Sequence, residues 1–181
     1  QLRSVLALST GAVVVGQTGS GKSTLVECVL AALESIDGVK GECHWIDPKA
    51  LVGDRYKELL FGRLDATTLE WTDGVCTALL RSASQKKRTW LCLDGDVDPA
   101  WAENLNSALD DNKVLTLPNG ERIAVPADVR FVFEVEDLSR ATPATVSRCG
   151  VCHVDAELVS LQDRVESCYR RLHAQDSAFV E

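Results

Sequence analysis

Apolar-rich stretches of four or five residues alternate along this chain with longer segments in which apolar positions recur every three to four residues. Residues 12–15, 42–46, 90–93, 129–133 and 150–154 make up the first kind and predict five short strands. Helical spacing marks the segments between them. Leu2, Val5, Leu6 and Leu8 predict a short amphipathic helix within residues 1–10, and Leu25, Val26, Val29, Leu30, Leu33 and Ile36 a longer one ending at Asp37-Gly38. Further helices are predicted over 54–61, over 73–84 with Asp73 as N-cap and Val75, Leu79 and Leu80 on one face, and over 99–110, 142–147 and 157–173. In the last of these, Leu158, Leu161, Val165, Cys168 and Leu172 share a side. Residues 62–73 read as a loop or hairpin, and 113–125 as a hairpin around Pro118-Asn119-Gly120-Glu121. Strands alternating with helices predict an α/β chain with a parallel, doubly wound sheet, its site at the carboxyl ends of the strands.

The first strand runs into Gly16-Gln17-Thr18-Gly19-Ser20-Gly21-Lys22-Ser23, and Thr24 follows as the next helix begins. Strand, G-x-x-x-x-G-K-[ST] and helix in that order give the context expected of a phosphate-binding loop. Glycines let the backbone curl until successive N–H groups face one point, and the helix adds its positive dipole end there. Lys22 is the candidate for the β- and γ-phosphates, and the Ser23 hydroxyl for Mg²⁺. Asp94, at the carboxyl end of Trp90-Leu91-Cys92-Leu93, fits the second acidic holder of the Mg²⁺ shell. The cofactors this predicts are ATP and Mg²⁺.

Composition narrows the field. With 181 residues, 45% of them apolar, the chain can bury a core of its own. A net charge of −8 argues against a general affinity for nucleic acid or anionic membranes, and Gln85-Lys86-Lys87-Arg88 is too short a basic run to reverse that. No stretch approaches the roughly 20 apolar residues of a membrane span. Gln1-Leu2-Arg3-Ser4 opens without Met or a signal-peptide layout, which reads as a piece of a longer chain. Seven scattered cysteines read as reduced thiols of a cytosolic protein. Cys149-Gly150-Val151-Cys152-His153 spells the haem-attachment motif, but without Met as an axial ligand it reads as a strand; zinc would want a second ligand pair.

Beyond the loop, several longer runs are distinctive: Asp47-Pro48-Lys49-Ala50, Glu70-Trp71-Thr72-Asp73-Gly74, Asp94-Gly95-Asp96-Val97-Asp98-Pro99, Leu109-Asp110-Asp111-Asn112-Lys113, Leu117-Pro118-Asn119-Gly120-Glu121-Arg122 and Ala144-Thr145-Val146-Ser147-Arg148-Cys149-Gly150. On these the sequence resembles the AAA+ modules of dynein heavy chains over nearly its whole length, most closely the second module of the motor ring, and the cytoplasmic type on Asp96-Val97-Asp98-Pro99. The resemblance implies an AAA+ P-loop NTPase large subdomain over 1–156, a five-stranded parallel sheet with an inserted β-hairpin at 113–125 before the sensor strand. Residues 62–73 would be the insert in the second helix, and 157–181 the start of a C-terminal helical region. It also implies a cytoplasmic, microtubule-associated motor in which this chain sits among neighbouring AAA+ modules.

It further implies which chemistry is present. AAA+ proteins that hydrolyse ATP well carry Glu after the Mg²⁺-associated Asp, where this chain has Gly95. Asp96, one residue on and one methylene shorter, is misplaced for that task. The sensor position, usually Asn, falls on Glu136 by register from Arg130, putting a further negative charge near the γ-phosphate. The expectation is a site that holds Mg-ATP with little or no hydrolysis. Arg148, just before the fifth strand, aligns with the arginine that reaches the neighbouring module's nucleotide, with Arg140 a weaker rival. Capping of carbonyls in a last helical turn is the plainer role for Arg148. The alternative class is a free-standing active NTPase or small-molecule kinase, which would need an arginine-rich lid that is not seen.

Overall fold

The computed structural model describes residues 1–48, 56–83, 87–158, 160, 162–163, 165–167 and 169–170. Its elements in chain order are α1 (Leu2–Leu8), β1 (Gly11–Val15), α2 (Lys22–Asp37), β2 (Gly41–Ile46), α3 (Tyr56–Phe61), β3 (Gly62–Leu64), β4 (Trp71–Asp73), α4 (Val75–Ser82) and β5 (Arg88–Asp94). There follow α5 (Pro99–Ala102), a 3₁₀ turn (Glu103–Leu105), α6 (Asn106–Leu109), β6 (Val114–Thr116), β7 (Arg122–Ala124), β8 (Val129–Val135), α7 (Pro143–Val146), β9 (Cys149–His153) and a second 3₁₀ turn (Ala156–Leu158).

The five predicted strands form one sheet in the order β2-β5-β8-β1-β9, every neighbouring pair parallel. The first strand is therefore inserted between the fourth and fifth, an order that the hydrophobic pattern alone does not give. Both faces of the sheet are covered. Val13, Val15, Leu91, Leu93, Phe131, Phe133 and Val135 point into one cluster, against Leu60, Phe61 and Leu80 of α3 and α4 and Trp101, Leu105 and Leu109 further on. Ala12, Val14, Trp90, Cys92 and Val132 point into the other, against Leu2 and Leu6 of α1 and Val26 and Leu30 of α2. Alternation of neighbouring residues between two buried faces is why these strands read as unbroken apolar runs. Each fully buried Val, Leu or Phe in such a layer contributes about 1.5–3 kcal/mol.

Residues 62–73 are a hairpin, β3 with β4, projecting between α3 and α4. The two helices abut beneath it. Thr77 Oγ1 donates to the Phe61 carbonyl, and a Cβ at Gly74 would lie 2.4 Å from the Leu60 carbonyl carbon. The 113–125 hairpin, β6 with β7, precedes β8 as expected.

Four local expectations change. The N-cap of α4 is Gly74; Asp73 is the last residue of β4, where it accepts from Trp71 Nε1 at 2.6 Å and pairs with Arg81 at 2.9 Å. The buried face of α4 is Cys76, Thr77 and Leu80, with Leu79 packed at its edge, while Val75, in the first turn, is exposed. The 99–110 segment bends through a 3₁₀ turn, the Asn106 N–H bonding to the Glu103 carbonyl, so it is not one helix. Leu8 and Ile36, counted into apolar faces, are exposed. The predicted helix over 157–173, the Lys49-Ala50 half of one motif and residues 54–55 and 84–86 lie wholly or partly outside the described residues.

Candidate functional site

The loop between β1 and α2 is shaped by close approach and by handedness. A Cβ at Gly16 would stand 2.3 Å from the Val154 carbonyl oxygen, so only glycine lets β1 leave the sheet here. Gly16 N–H donates to the Val135 carbonyl at 3.0 Å, anchoring the loop to the end of β8. Gly19 and Gly21 have φ of +80° and +93°, the left-handed region that glycine enters at least cost. The Ser20 N–H bonds the Gln17 carbonyl at 3.1 Å, and the Leu25 N–H bonds the Gly21 carbonyl at 2.9 Å as α2 begins. The amino end of a 16-residue helix therefore opens at the loop.

Two adjoining clefts, of about 300 and 400 Å³, lie along this end of the sheet and share Thr18, Lys22, Asp94 and Glu134. Gly19, Gly21, Ser23 and Thr24 line the larger, and Gly95, Asp96 and Glu136 the smaller. The structure thus gathers most of the predicted set: the loop residues, Thr24, Asp94 and Glu136. Lys22 Nζ donates to the Gly16 carbonyl at 2.8 Å and the Gln17 carbonyl at 3.1 Å, holding its charge over the loop. Thr18 Oγ1 donates to Glu136, an exposed carboxylate.

A residue that the sequence reading passed over bonds the Ser23 hydroxyl. Glu134 Oε2 accepts from Ser23 Oγ at 2.8 Å, and the residue is 2% exposed. In register it lies level with Asp94 on β5 and Val14 on β1. Its Oε1 and the Ser20 Oγ are the buried side-chain polar atoms without a hydrogen-bond partner among the described residues. Burial pushes the Glu134 carboxyl above its ordinary range; Asp94 and Glu27 add to that, while the Ser23 hydrogen bond and Lys22 oppose it. Hard oxygen donors at a glycine-shaped loop, with a buried oxygen lacking a partner, fit a Mg²⁺ ion accompanying a phosphate ligand. Ser23 and Asp94 are the side chains that would hold it.

After Asp94 the backbone changes hand. Gly95 has φ +132° and its N–H donates to the Glu134 carbonyl at 3.0 Å. Asp96 turns to Arg140, Oδ2 lying 3.3 Å from the guanidinium. Arg140 is thereby placed beside this pocket.

Arg148 lies at the other end of the sheet. The residue after it, Cys149, pairs with Gly11 at the start of β1, a strand length of about 16 Å from the loop. Its Nε bonds Asp110 Oδ1 at 2.5 Å and its terminal nitrogen the Ala144 carbonyl at 2.7 Å. It caps α7 and is not brought to the loop of its own chain. The Cys149–His153 run lies along β9, as the strand reading held.

Comparison with known proteins fits this geometry. An AAA domain of the dynein-related subfamily matches residues 11–149. The cytoplasmic dynein heavy chain of Dictyostelium discoideum is 51% identical over 168 residues, covering 90% of this chain and 4% of that protein. That of Drosophila melanogaster is 49% identical over 180 residues, covering 96% and 4%. The gamma chain of the flagellar outer arm dynein of Chlamydomonas reinhardtii is 43% identical over 187 residues, covering 97% and 4%. This chain spans about 4% of the length of each of these relatives. Among the described residues no helix is long and apolar enough to cross a membrane.

Proposed function

The chain belongs to the dynein-related AAA family, and from that premise we propose that it is a nucleotide-binding AAA+ module of a cytoplasmic dynein heavy chain, the second of its motor ring, that holds Mg-ATP and hydrolyses it little or not at all. The ring would belong to a minus-end-directed motor on microtubules, with the other AAA+ modules of the same heavy chain as neighbours. The observation that carries the reading is Gly95. The position that would ready a water has no side chain, and its φ of +132° disfavours any residue that could supply one. Bound nucleotide would then act as a staple. A ligand present at a hundred times its Kd stabilises the fold that binds it by about 2.7 kcal/mol. For a chain of this size that is roughly 5–11 °C in melting temperature. Melting curves with and without Mg-ATP test it: the expected result is an upward shift of that order that persists for hours. No shift would remove the binding claim. Brisk turnover, or phosphoryl transfer to an acceptor, would favour an active NTPase or kinase.

Arg148 is assigned to a neighbour's nucleotide on two supports. It cannot serve its own loop across the length of the sheet, and its ion pair with Asp110 fixes it at the edge strand. Arginines acting in trans are worth about 10³–10⁵ in rate. In the assembled heavy chain, Arg148→Ala should therefore lower ATP turnover at the preceding module by at least about a thousandfold while this module keeps its nucleotide. Unchanged turnover would leave Arg148 as the helix cap it is within this chain.

A further inference from the structure

Glu134 has no role in the proposed function, yet it is a buried acid bonded to the Ser23 hydroxyl at the start of α2. The alternation of β8 decides which way it points. Val132, two residues earlier, faces the cluster beneath α1 and α2, whereas Phe133 and Val135 face the opposite layer. Glu134 therefore emerges on the α2 side, level with Asp94, where α2 begins. It occupies a place where the strand would otherwise carry another core residue. One oxygen is held by Ser23, and the other is buried without a partner. Leaving a buried acceptor unpaired costs about 1–3 kcal/mol, and more when it is charged. Lys22, the nearest cation of the loop, spends its hydrogen bonds on the Gly16 and Gln17 carbonyls.

From this arrangement we propose that Glu134 supplies a second carboxylate to the coordination sphere of the divalent cation that accompanies the nucleotide, beside Ser23 and Asp94. The inference rests on the nucleotide-binding reading and says how that site keeps its ligand. The alternative, that Glu134 readies water in place of the side chain Gly95 lacks, fits less well. Its bonded partner is the hydroxyl that marks the metal end of the loop, and a base must face the reacting phosphorus from the far side. Glu134 therefore strengthens the grip and leaves the missing function missing. With the metal present, two carboxylates secure the cation and through it the phosphates. With the metal removed, the same carboxylate faces phosphate oxygens as a like charge. The site should accordingly hold nucleotide with an unusually steep dependence on divalent cation.

The test uses Mn²⁺ as the probe, its affinity for the ADP-loaded chain read by electron paramagnetic resonance titration, and a fluorescent ADP analogue titrated in excess chelator. Glu134→Gln should weaken Mn²⁺ binding about ten- to a hundredfold, the scale seen when groups supporting a metal site are removed. The same variant should bind the analogue in chelator as tightly as the unaltered chain or a few-fold more tightly. Glu134→Asp, shorter but charged, should fall between, and far-ultraviolet circular dichroism with a melting curve reports that each variant is folded. Mn²⁺ affinity within twofold of the unaltered chain would overturn the inference. So would a folded Gln variant that lost nucleotide even in chelator, since Glu134 would then be shaping the loop. If the unaltered chain bound no nucleotide under either condition, the nucleotide reading itself would fall, and this inference with it.

Discussion

The ends of β5 and β8 lie side by side over the phosphate loop, and they carry their charge in opposite ways. β5 delivers Asp94 and then turns away at Gly95 with a left-handed backbone and no side chain, while Asp96 beyond it engages Arg140. β8 continues straight and delivers Glu134 into the buried space at Ser23, then Glu136 at the exposed rim beside Thr18. The strand expected to carry a water-activating acid ends in Asp94-Gly95 without one, and its neighbour carries a buried carboxylate where a core residue would be expected. Position decides what the exchange means. A carboxylate at Ser23 attracts a cation, whereas one next to Asp94 could have addressed a water. Counting acids in the pocket would suggest an active enzyme; locating them supports a holder of nucleotide.

The largest change should come from removing what both strand ends depend on. Lys22→Ala should weaken Mg-ATP binding at least about a hundredfold, roughly 2.7 kcal/mol, by equilibrium titration. Retained affinity would mean that the loop itself is not the anchor. Next, Gly95→Glu puts back the missing acid where the backbone resists it. A side chain at φ +132° costs of order 1–3 kcal/mol. The variant should melt lower and still not turn over ATP; restored turnover would show that the left-handed turn is soft and that only the side chain was missing. Glu136→Gln should be milder, changing nucleotide affinity less than about threefold, because exposed charge is screened. A larger effect would move the weight of the comparison from Glu134 to the rim.

The smallest effect lies at the foot of β5, where Arg88 pairs with Asp37 at 2.6 Å. The Val39 N–H, and then Arg88, hold the Asp37 carboxyl below its ordinary 3.8. Its contribution is therefore present above pH 3.8 and is lost as pH falls through the lower folded value. A melting series from pH 5 downwards should show a slightly shallower acid loss for Asp37→Asn than for the unaltered chain.

Much of this arrangement could be read directly from residues. Val13, Val14 and Val15 announce a strand buried on both faces, and the glycines of the loop announce a backbone that must bend between it and a helix. Glu134 was legible only in part. Val129-Arg130-Phe131-Val132-Phe133 reads as a strand that stops at Phe133, so Glu134 was not counted among its inward residues; the strand runs to Val135 and carries Glu134 inward. The available signal was a lone acid in an apolar run with the same two-residue phase as Val132. The insertion of β1 between β8 and β9 and the Asp110 partner of Arg148 depend on contacts between residues far apart in sequence, and no periodicity encodes those. The bend within 99–110 escaped for a different reason: Trp101, Ala102, Leu105, Ala108 and Leu109 keep helical spacing although one turn tightens to 3₁₀.

The central claim, a pocket that grips ATP and does not spend it, is tested most directly by loading the chain with radiolabelled Mg-ATP, removing free nucleotide, and identifying what remains bound over hours. The retained label should still be ATP when its release is nearly complete. Conversion of most of the bound label to ADP before release would contradict it.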